Sequence, residues 1–356
     1  MEFIIQDALK TAKEVGEDIH IGQANIKVFG CGGGGGNAAT WLYKKGIQGA
    51  EIIVANTDKQ HLDICEADRK ILIGKDLTRG LGAGGYPQKG REAAKESISQ
   101  IREALKDSDM VFVLGGLGGG TATGSCPIVA QVAKEMGAIV IGTVTMPFDI
   151  ERARVDKAEF GLQELRNVTD SVIVIDNNRL VNIAGNLPLQ QAFAVANELI
   201  STMIKGIVET IAVPSLVNLD YADVKAIMTQ GGVCAMGVGE SDSENRVEEA
   251  VRRALSNPLL DVDYKGATGA LIHISGGTDL TLDEVSRVGE LVTEAMHEDA
   301  NVIWGARVND NMNGRVRVMT IMAGVNSPYI LGKVDKTKAA ASARKFSEDL
   351  GIELIK

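Results

Sequence analysis

Two glycine-rich runs constrain the fold of this chain more than any other feature: Gly30 to Asn37, reading GCGGGGGN, and Gly115 to Gly124, reading GGLGGGTATG. Each follows a short apolar run, IKVF at 26–29 and MVFVL at 110–114, and each leads into an amphipathic stretch. A glycine run between a strand and a helix places consecutive amides, bare of side chains, at a helix N-terminus. Unpaired N–H groups and the helix dipole favour an anion there. Two such cradles on adjacent strands point to a polyphosphate. The hydroxyls of Thr121, Thr123 and Ser125 add donors to phosphate or ligands for a magnesium ion. A third segment, Arg79 to Pro87, is also rich in glycine, and its composition alone reads as a flexible surface loop.

From Ile26 onward, short apolar runs alternate with amphipathic stretches, the rhythm of an α/β fold around a parallel sheet. Strands are expected at 26–29, 51–55, 110–114, 138–145 and 171–175, with helices near 36–45, 88–106 and 121–136. The glycine runs fall after strands, where such folds place ligands. A long helix over 189–212 carries Phe193, Ala196, Ile200, Met203, Ile204 and Ile207 at spacings of three and four, which gives one broad apolar face. On periodicity alone Phe193 reads as core. Pro214 ends the helix and marks a domain junction. Apolar runs at 233–239, 269–275, 301–308 and 315–324 then alternate with helical stretches, as in a second, smaller α/β domain. At 356 residues the chain is long for one core, which agrees with two. The expected plan is a helical extension over 1–25, a Rossmann-like domain over 26–188, a central helix over 189–212, a second domain over 213–325 and a Lys- and Ala-rich tail over 326–356.

The formal net charge of -10, without clustered Lys and Arg, argues against nucleic-acid binding. Cys31, Cys65, Cys126 and Cys234 lie far apart, with no CxxC pair and no histidine at metal-ligand spacing, and read as reduced thiols rather than a metal site. No signal peptide and no membrane span is evident, so a cytoplasmic location is expected.

The bare pattern leaves a nicotinamide-dependent dehydrogenase open. Gly30-x-Gly32-x-x-Gly35 opens a βαβ unit, and Asp58 stands just past the second strand, where a ribose-binding acid belongs. Against this stand the second glycine run, which a dinucleotide fold does not require, and the lack of an obvious hydride-transfer acid in the second domain.

The stretch GGGTATGS at 118–125 resembles the GTP-binding signature GGGTGTGS of the FtsZ branch of the tubulin superfamily. Asn56-Thr57-Asp58, the 77–87 loop, Pro147-Phe148 before Glu151, and NLDYAD at 218–223 fall in the same order as that family's landmarks, and the resemblance spans about 26–324, nearest to its archaeal members. It implies a GTPase that polymerises head to tail into division-ring filaments, with a GTP-binding domain, a central helix and a GTPase-activating domain. It further implies that Gly32, Gly33, Gly34, Gly35, Gly36 and Asn37, together with Gly118, Gly119, Gly120, Thr121, Ala122, Thr123 and Gly124, hold the phosphates, with magnesium accompanying the nucleotide. Asp58 belongs to the same expected set, Ala83, Gly84 and Gly85 lie near the terminal phosphate, Glu151 and Arg154 approach ribose and phosphates, and Asn177, Phe193 and Asn197 hold guanine. Asn218, Asp220 and Asp223 are then presented to the nucleotide of the next subunit, although an acid at a helix start followed by another at i+3 is equally a capping arrangement.

The chain departs from the family at several places. Ala122 stands where a glycine is usual, the segment after Glu151 is one residue short so that Arg152 competes with Arg154, Tyr86 replaces an asparagine, and Asp176 replaces a proline. Ala122 leaves open a filament scaffold with weak or no GTPase activity. The end of the chain, EDLGIELI at 348–355, resembles the family's short peptide for membrane-tethering adaptors and equally reads as a terminal helix. The resemblance places the protein at the division site.

Overall fold

The computed structural model describes residues 24–213, 215–230, 234–256, 267–294, 296–325 and 330–332. The expected N-terminal extension and most of the tail, including the adaptor-like peptide, lie outside these residues. The first half runs β1 (Ile26–Cys31), α1 (Gly32–Lys45), β2 (Ala50–Asn56), α2 (Lys59–Ile64), β3 (Arg69–Leu72), α3 (Lys75–Thr78), α4 (Pro87–Glu96) and α5 (Ile98–Ala104). It continues with β4 (Met110–Gly116), α6 (Thr121–Glu135), β5 (Ile139–Met146), α7 (Ala153–Arg166), β6 (Ser171–Asp176) and α8 (Asn177–Ala184). The long α9 (Leu189–Ala212) leads to α10 (Tyr221–Gln230), β7 (Cys234–Ser241), α11 (Arg246–Leu255), β8 (Gly269–Gly276), α12 (Leu282–Thr293), β9 (Asn301–Val308), β10 (Val316–Ala323) and β11 (Ile330–Gly332).

The first sheet has strand order β11-β6-β5-β4-β1-β2-β3, with β1 to β6 parallel and β11 antiparallel on β6. Strands β1 and β4 are buried on both faces, which is why they read as continuous apolar runs rather than alternating ones. The chain first builds outward from β1 to β3, then returns and builds the other way from β4 to β6. The order therefore reverses between β1 and β4, and a crevice opens at their carboxyl ends, where Cys31 lies opposite Gly115. The second sheet, β7-β10-β8-β9, is mixed: β10 is antiparallel to β7 and β8, and β8 is parallel to β9.

Between the sheets α9 buries Ile200, Met203, Ile204, Ile207 and Val208, the apolar face read from the sequence. Polar contacts pin it from both sides. Trp41 of α1 donates to Glu198 at 2.8 Å, and Lys205 donates to the Gly46 carbonyl at 2.6 Å. From β9, Arg307 donates to the carbonyls of Glu209 and Val213 at 2.6 and 2.7 Å, placing a cation where the helix C-terminus presents unpaired oxygens. Val213 itself is extended, as a residue preceding proline must be.

Several local expectations need correction. α1 begins at Gly32, four residues before the expected start, so the glycines form its first turn rather than a loop ahead of it. The expected helix over 88–106 is two helices, broken at Ser97, whose hydroxyl accepts the Gly74 N–H at 3.0 Å. Ile330–Gly332, assigned to the tail by its composition, forms a sheet strand.

His273 on β8 is buried beneath the end of α9, its ring nitrogens 3.4 Å from the hydroxyls of Ser215 and Ser275. Burial, and then the neighbouring Arg307 charge, push its pKa down to about 4. The folded protein keeps this imidazole neutral while the unfolded chain takes up a proton near the ordinary value of 6.5. Stability from this group is therefore complete above the unfolded value and is lost as pH falls toward the folded one. Chemical denaturation between pH 7 and 4 is predicted to show wild type losing up to about 3 kcal/mol more stability than His273→Gln. Parallel curves for the two proteins would contradict this assignment.

Candidate functional site

A cleft of about 740 Å³ opens at the carboxyl ends of β1, β4 and β5, roofed by α9. Within α1, Gly33, Gly34 and Asn37 are exposed and line the cleft, whereas Gly32, Gly35 and Gly36 are buried and turn away. This is helical periodicity applied to glycine. The buried ones serve close packing: a Cβ on Gly35 would lie 2.3 Å from the Leu114 carbonyl oxygen, and one on Gly36 would lie 2.9 Å from Cys65 Sγ. Neither α1 nor α6 has a side-chain cap or an acidic residue in its first turn. Both therefore present uncapped amides, and Gly33, Gly34, Gly119, Gly120 and Thr121 carry this character into one cleft.

The second glycine run divides the same way. Gly119, Gly120, Thr121 and Ala122 line the cleft. Gly118, Thr123, Gly124 and the Ser125 hydroxyl belong to the scaffold instead. The Gly118 N–H donates to Thr123 Oγ1 at 2.9 Å, Ser125 donates to the Thr121 carbonyl at 2.7 Å, and a Cβ on Gly124 would lie 2.1 Å from the Pro87 carbonyl oxygen. Of the three hydroxyls expected to reach phosphate or magnesium, only that of Thr121 belongs to a residue lining the cleft, and it lies 2.6 Å from Thr57 Oγ1.

The 79–87 loop is held at several points. Gly82 donates to the Thr57 carbonyl at 3.1 Å, and Lys157 donates to the Gly85 carbonyl at 2.8 Å. Four glycines here, Gly80, Gly82, Gly84 and Gly85, have positive φ, a backbone form that favours residues without a side chain. The loop packs against Gly120, where an added Cβ would lie 2.8 Å from Ala83 Cβ. Ala83, Gly84 and Gly85 thus sit behind the rim rather than in the lining. Asp58 is also outside it: its carboxylate accepts the His61 N–H at 3.2 Å as the N-cap of α2.

At the other end of the cleft Asn177, Phe193 and Asn197 converge from α8 and α9. Phe193 is 39% exposed and meets Phe148 edge to face at 6.1 Å, so the core reading drawn from periodicity fails. Asn178 holds the neighbouring turn by accepting the Asp149 N–H at 3.0 Å. Glu151 and Arg154 line the cleft and pair with each other at 2.7 Å, while Arg152 is exposed outside it, with φ of 40°. The lining also includes residues absent from the sequence-based set: Thr40, Trp41 and Lys44 on α1, and Thr143 and Thr145 on β5. The threonines had a faint signal, since they interrupt the apolar row begun by Ile139 and Ile141.

Asn218, Asp220 and Asp223 lie far from the cleft. Tyr221, beside Asp220, donates to the Asp109 carbonyl at 2.9 Å, at the amino end of β4, whereas the cleft is at its carboxyl end. The length of β4 alone separates them by roughly 20 Å. The two carboxylates cap α10 reciprocally, Asp220 accepting the Asp223 N–H at 2.9 Å and Asp223 accepting the Asp220 N–H at 3.0 Å.

Residues 25–185 match the profile of the Tubulin/FtsZ family GTPase domain, and 232–326 match that of the FtsZ family C-terminal domain. The chain is 56% identical over 344 residues to Cell division protein FtsZ 2 of Methanocaldococcus jannaschii, covering 94% of this chain and 90% of that protein. The chain belongs to the FtsZ family. A solved structure described as an empty FtsZ dimer from M. jannaschii superposes with a TM-score of 0.78 at 48% identity, covering 90% of this chain and 92% of that one. A CetZ2 protofilament structure from Haloferax volcanii, with GTPγS bound, shares the fold at a TM-score of 0.72 and 21% identity, covering 92% and 99% of the two chains. As a member of the FtsZ family the protein is a guanine-nucleotide-binding GTPase of the cell-division type. The dehydrogenase alternative falls with this family assignment.

Ala122, the departure from the FtsZ signature, lies in the first turn of α6, outside the left-handed region, so its methyl group imposes no backbone strain. Ala122→Gly is predicted to leave nucleotide affinity within about twofold and to lower stability by about 0.5–1 kcal/mol through helix propensity. Nucleotide titration and thermal melting of the two proteins check this.

Proposed function

We propose that the cleft of one subunit binds GTP and that Asn218, Asp220 and Asp223 of the next subunit, added head to tail, complete the hydrolytic site. The observation that carries this reading is the placement of cleft and acids at opposite ends of β4. One chain cannot bring them together, but a head-to-tail contact can, and because such a contact does not close on itself it generates a filament. Exposed apolar side chains support the contact at both ends: Leu81 and Ile150 near the cleft are 84% and 86% exposed, and Leu216, just before Asn218, is 78% exposed.

In this reading the amides around Gly33, Gly34, Gly119 and Gly120 take the phosphates, and the loop of Ala83, Gly84 and Gly85 shapes the terminal-phosphate end from behind. Arg154, oriented by Glu151, approaches phosphate and ribose. Asn177 and Asn197 bond the polar edge of guanine and Phe193 stacks on its face. Among the described residues no group of three or more His, Cys, Asp or Glu side chains gathers to hold a metal ion. This donor set fits a magnesium ion carried mainly by the phosphates and water, where it would offset charge. The partner's carboxylates orient a water against the terminal phosphorus and accept its proton. The new P–O bond replaces the bond to the bridging oxygen, giving GDP and inorganic phosphate.

The filaments are proposed to act at the division site, with residues 347–356 docking on a membrane-tethering adaptor. No helix among the described residues is long and apolar enough to cross a membrane. The scaffold alternative loses its motive, because Ala122 fits an ordinary helix.

Asp220→Asn and Asp223→Asn preserve capping ability, so the fold is retained. Each is predicted to bind GTP like wild type and to release phosphate about 100-fold more slowly or less. Wild-type specific activity is predicted to rise with protein concentration across the assembly range. Phosphate release that is independent of concentration, or unaffected by either substitution, would refute the shared site.

A further inference from the structure

Side chains alternate along β5, so Ile139, Ile141, Thr143 and Thr145 share the face turned toward α9. Ile139 and Ile141 are fully committed to the core, and Thr145 is half-buried at the cleft rim. Thr143 stands at the transition. It is 3% exposed, it lines the cleft, and its hydroxyl has no hydrogen-bond partner among the described residues. Ser171, Ser201 and Thr320 also have buried hydroxyls without a partner among these residues, but none of them lines the cleft. A valine would fill the same shape in a strand without leaving a polar atom unpaired, and buried polar atoms are nearly always paired because an unmade bond is costly.

The position says what the hydroxyl meets. Thr143 pairs with Leu114 of β4 on one side and Ile173 of β6 on the other. The amides suited to phosphate enter from β1 and β4, while Asn177 follows β6. Strand β5 lies between them. Above it, Ala196 and Ile200 close the cleft from α9, the helix that also presents Phe193 and Asn197. Thr143 thus lies on the cleft floor between the second glycine run, which begins just after its partner Leu114, and Asn177, beneath the helix that presents Phe193 and Asn197.

We propose that Thr143 is a specificity-determining residue whose hydroxyl bonds the inner edge of the purine base, directly or through one ordered water, and is satisfied only when nucleotide is bound. The proposal rests on the guanine-nucleotide reading of this cleft. It separates two quantities that a merely structural threonine would move together. Removing the hydroxyl relieves the nucleotide-free protein of an unpaired polar atom and deprives the complex of a bond.

The test compares wild type, Thr143→Val and Thr143→Ser by calorimetric titration with GDP and 2′-deoxy-GDP, and by thermal melting without nucleotide. Thr143→Val is expected to bind GDP about 3- to 10-fold more weakly while its nucleotide-free melting temperature stays equal or rises by about 2 °C. Thr143→Ser, which keeps the hydroxyl, is expected to bind within about twofold of wild type. The affinity ratio between wild type and Thr143→Val is expected to be the same for GDP and 2′-deoxy-GDP. Unchanged GDP affinity in Thr143→Val, or weaker binding accompanied by a lower nucleotide-free melting temperature, overturns the proposal. A ratio that vanishes with 2′-deoxy-GDP also overturns it, by moving the contact to the sugar. Wild-type protein that bound no GDP would instead remove the reading of the cleft itself.

Discussion

The site depends on how closely two strand-to-helix junctions approach each other. Leu114 of β4 presents its carbonyl where a Cβ on Gly35 would lie 2.3 Å away, and a Cβ on Gly34 would come within 3.1 Å of Gly116. Nothing larger than hydrogen allows α1 to lie this close to β4. That proximity brings the N-terminal turns of α1 and α6 to one crevice. Their free amides would otherwise be two weak anion sites; together they make one cleft of matching polarity.

Glycine therefore has two separate duties in the same few residues. In α1 the buried Gly32, Gly35 and Gly36 permit packing, while the exposed Gly33 and Gly34 leave amides open to the cleft. A run of identical residues carries no periodicity, so the sequence shows that the amides are bare without showing which face the cleft. Placing α1's start four residues late follows from the same fact, because glycine gives no helical signal even when it forms the first turn. The apolar strands β1, β4 and β5 and the long α9 were legible because they are long, strongly patterned segments.

The errors elsewhere have particular causes. Phe193 fits the apolar stripe of α9, yet that helix extends past the sheet at its N-terminal end, so the same stripe changes from core to cleft lining along its length. Asp58 stands just past β2 but caps α2 and lies outside the cleft lining, a placement that its position in the sequence does not reveal. The glycine loop at 79–87 looked flexible on composition, whereas its positive-φ residues let it follow a path fixed by Thr57, Lys157 and Gly120. Thr143 and Thr145 went unnoticed because threonine is also an ordinary strand former; only burial distinguishes a hydroxyl that has found a partner from one that has not.

The capping and catalytic readings of Asp220 and Asp223 do not compete. Each carboxylate uses one oxygen to accept a backbone N–H of the other residue, which fixes both side chains and leaves acceptor capacity facing outward. An acid pair held in this way is already oriented before a partner arrives, so association need not order it. Tyr221 anchors the same turn to the amino end of β4, and the cleft is at the other end of that strand. The parallel sheet thus sets the distance between the cleft and the acid pair. Because α9 carries Phe193 and Asn197 near its start and is gripped by Arg307 at its end, the helix that roofs the cleft is also the one fastened to the second sheet.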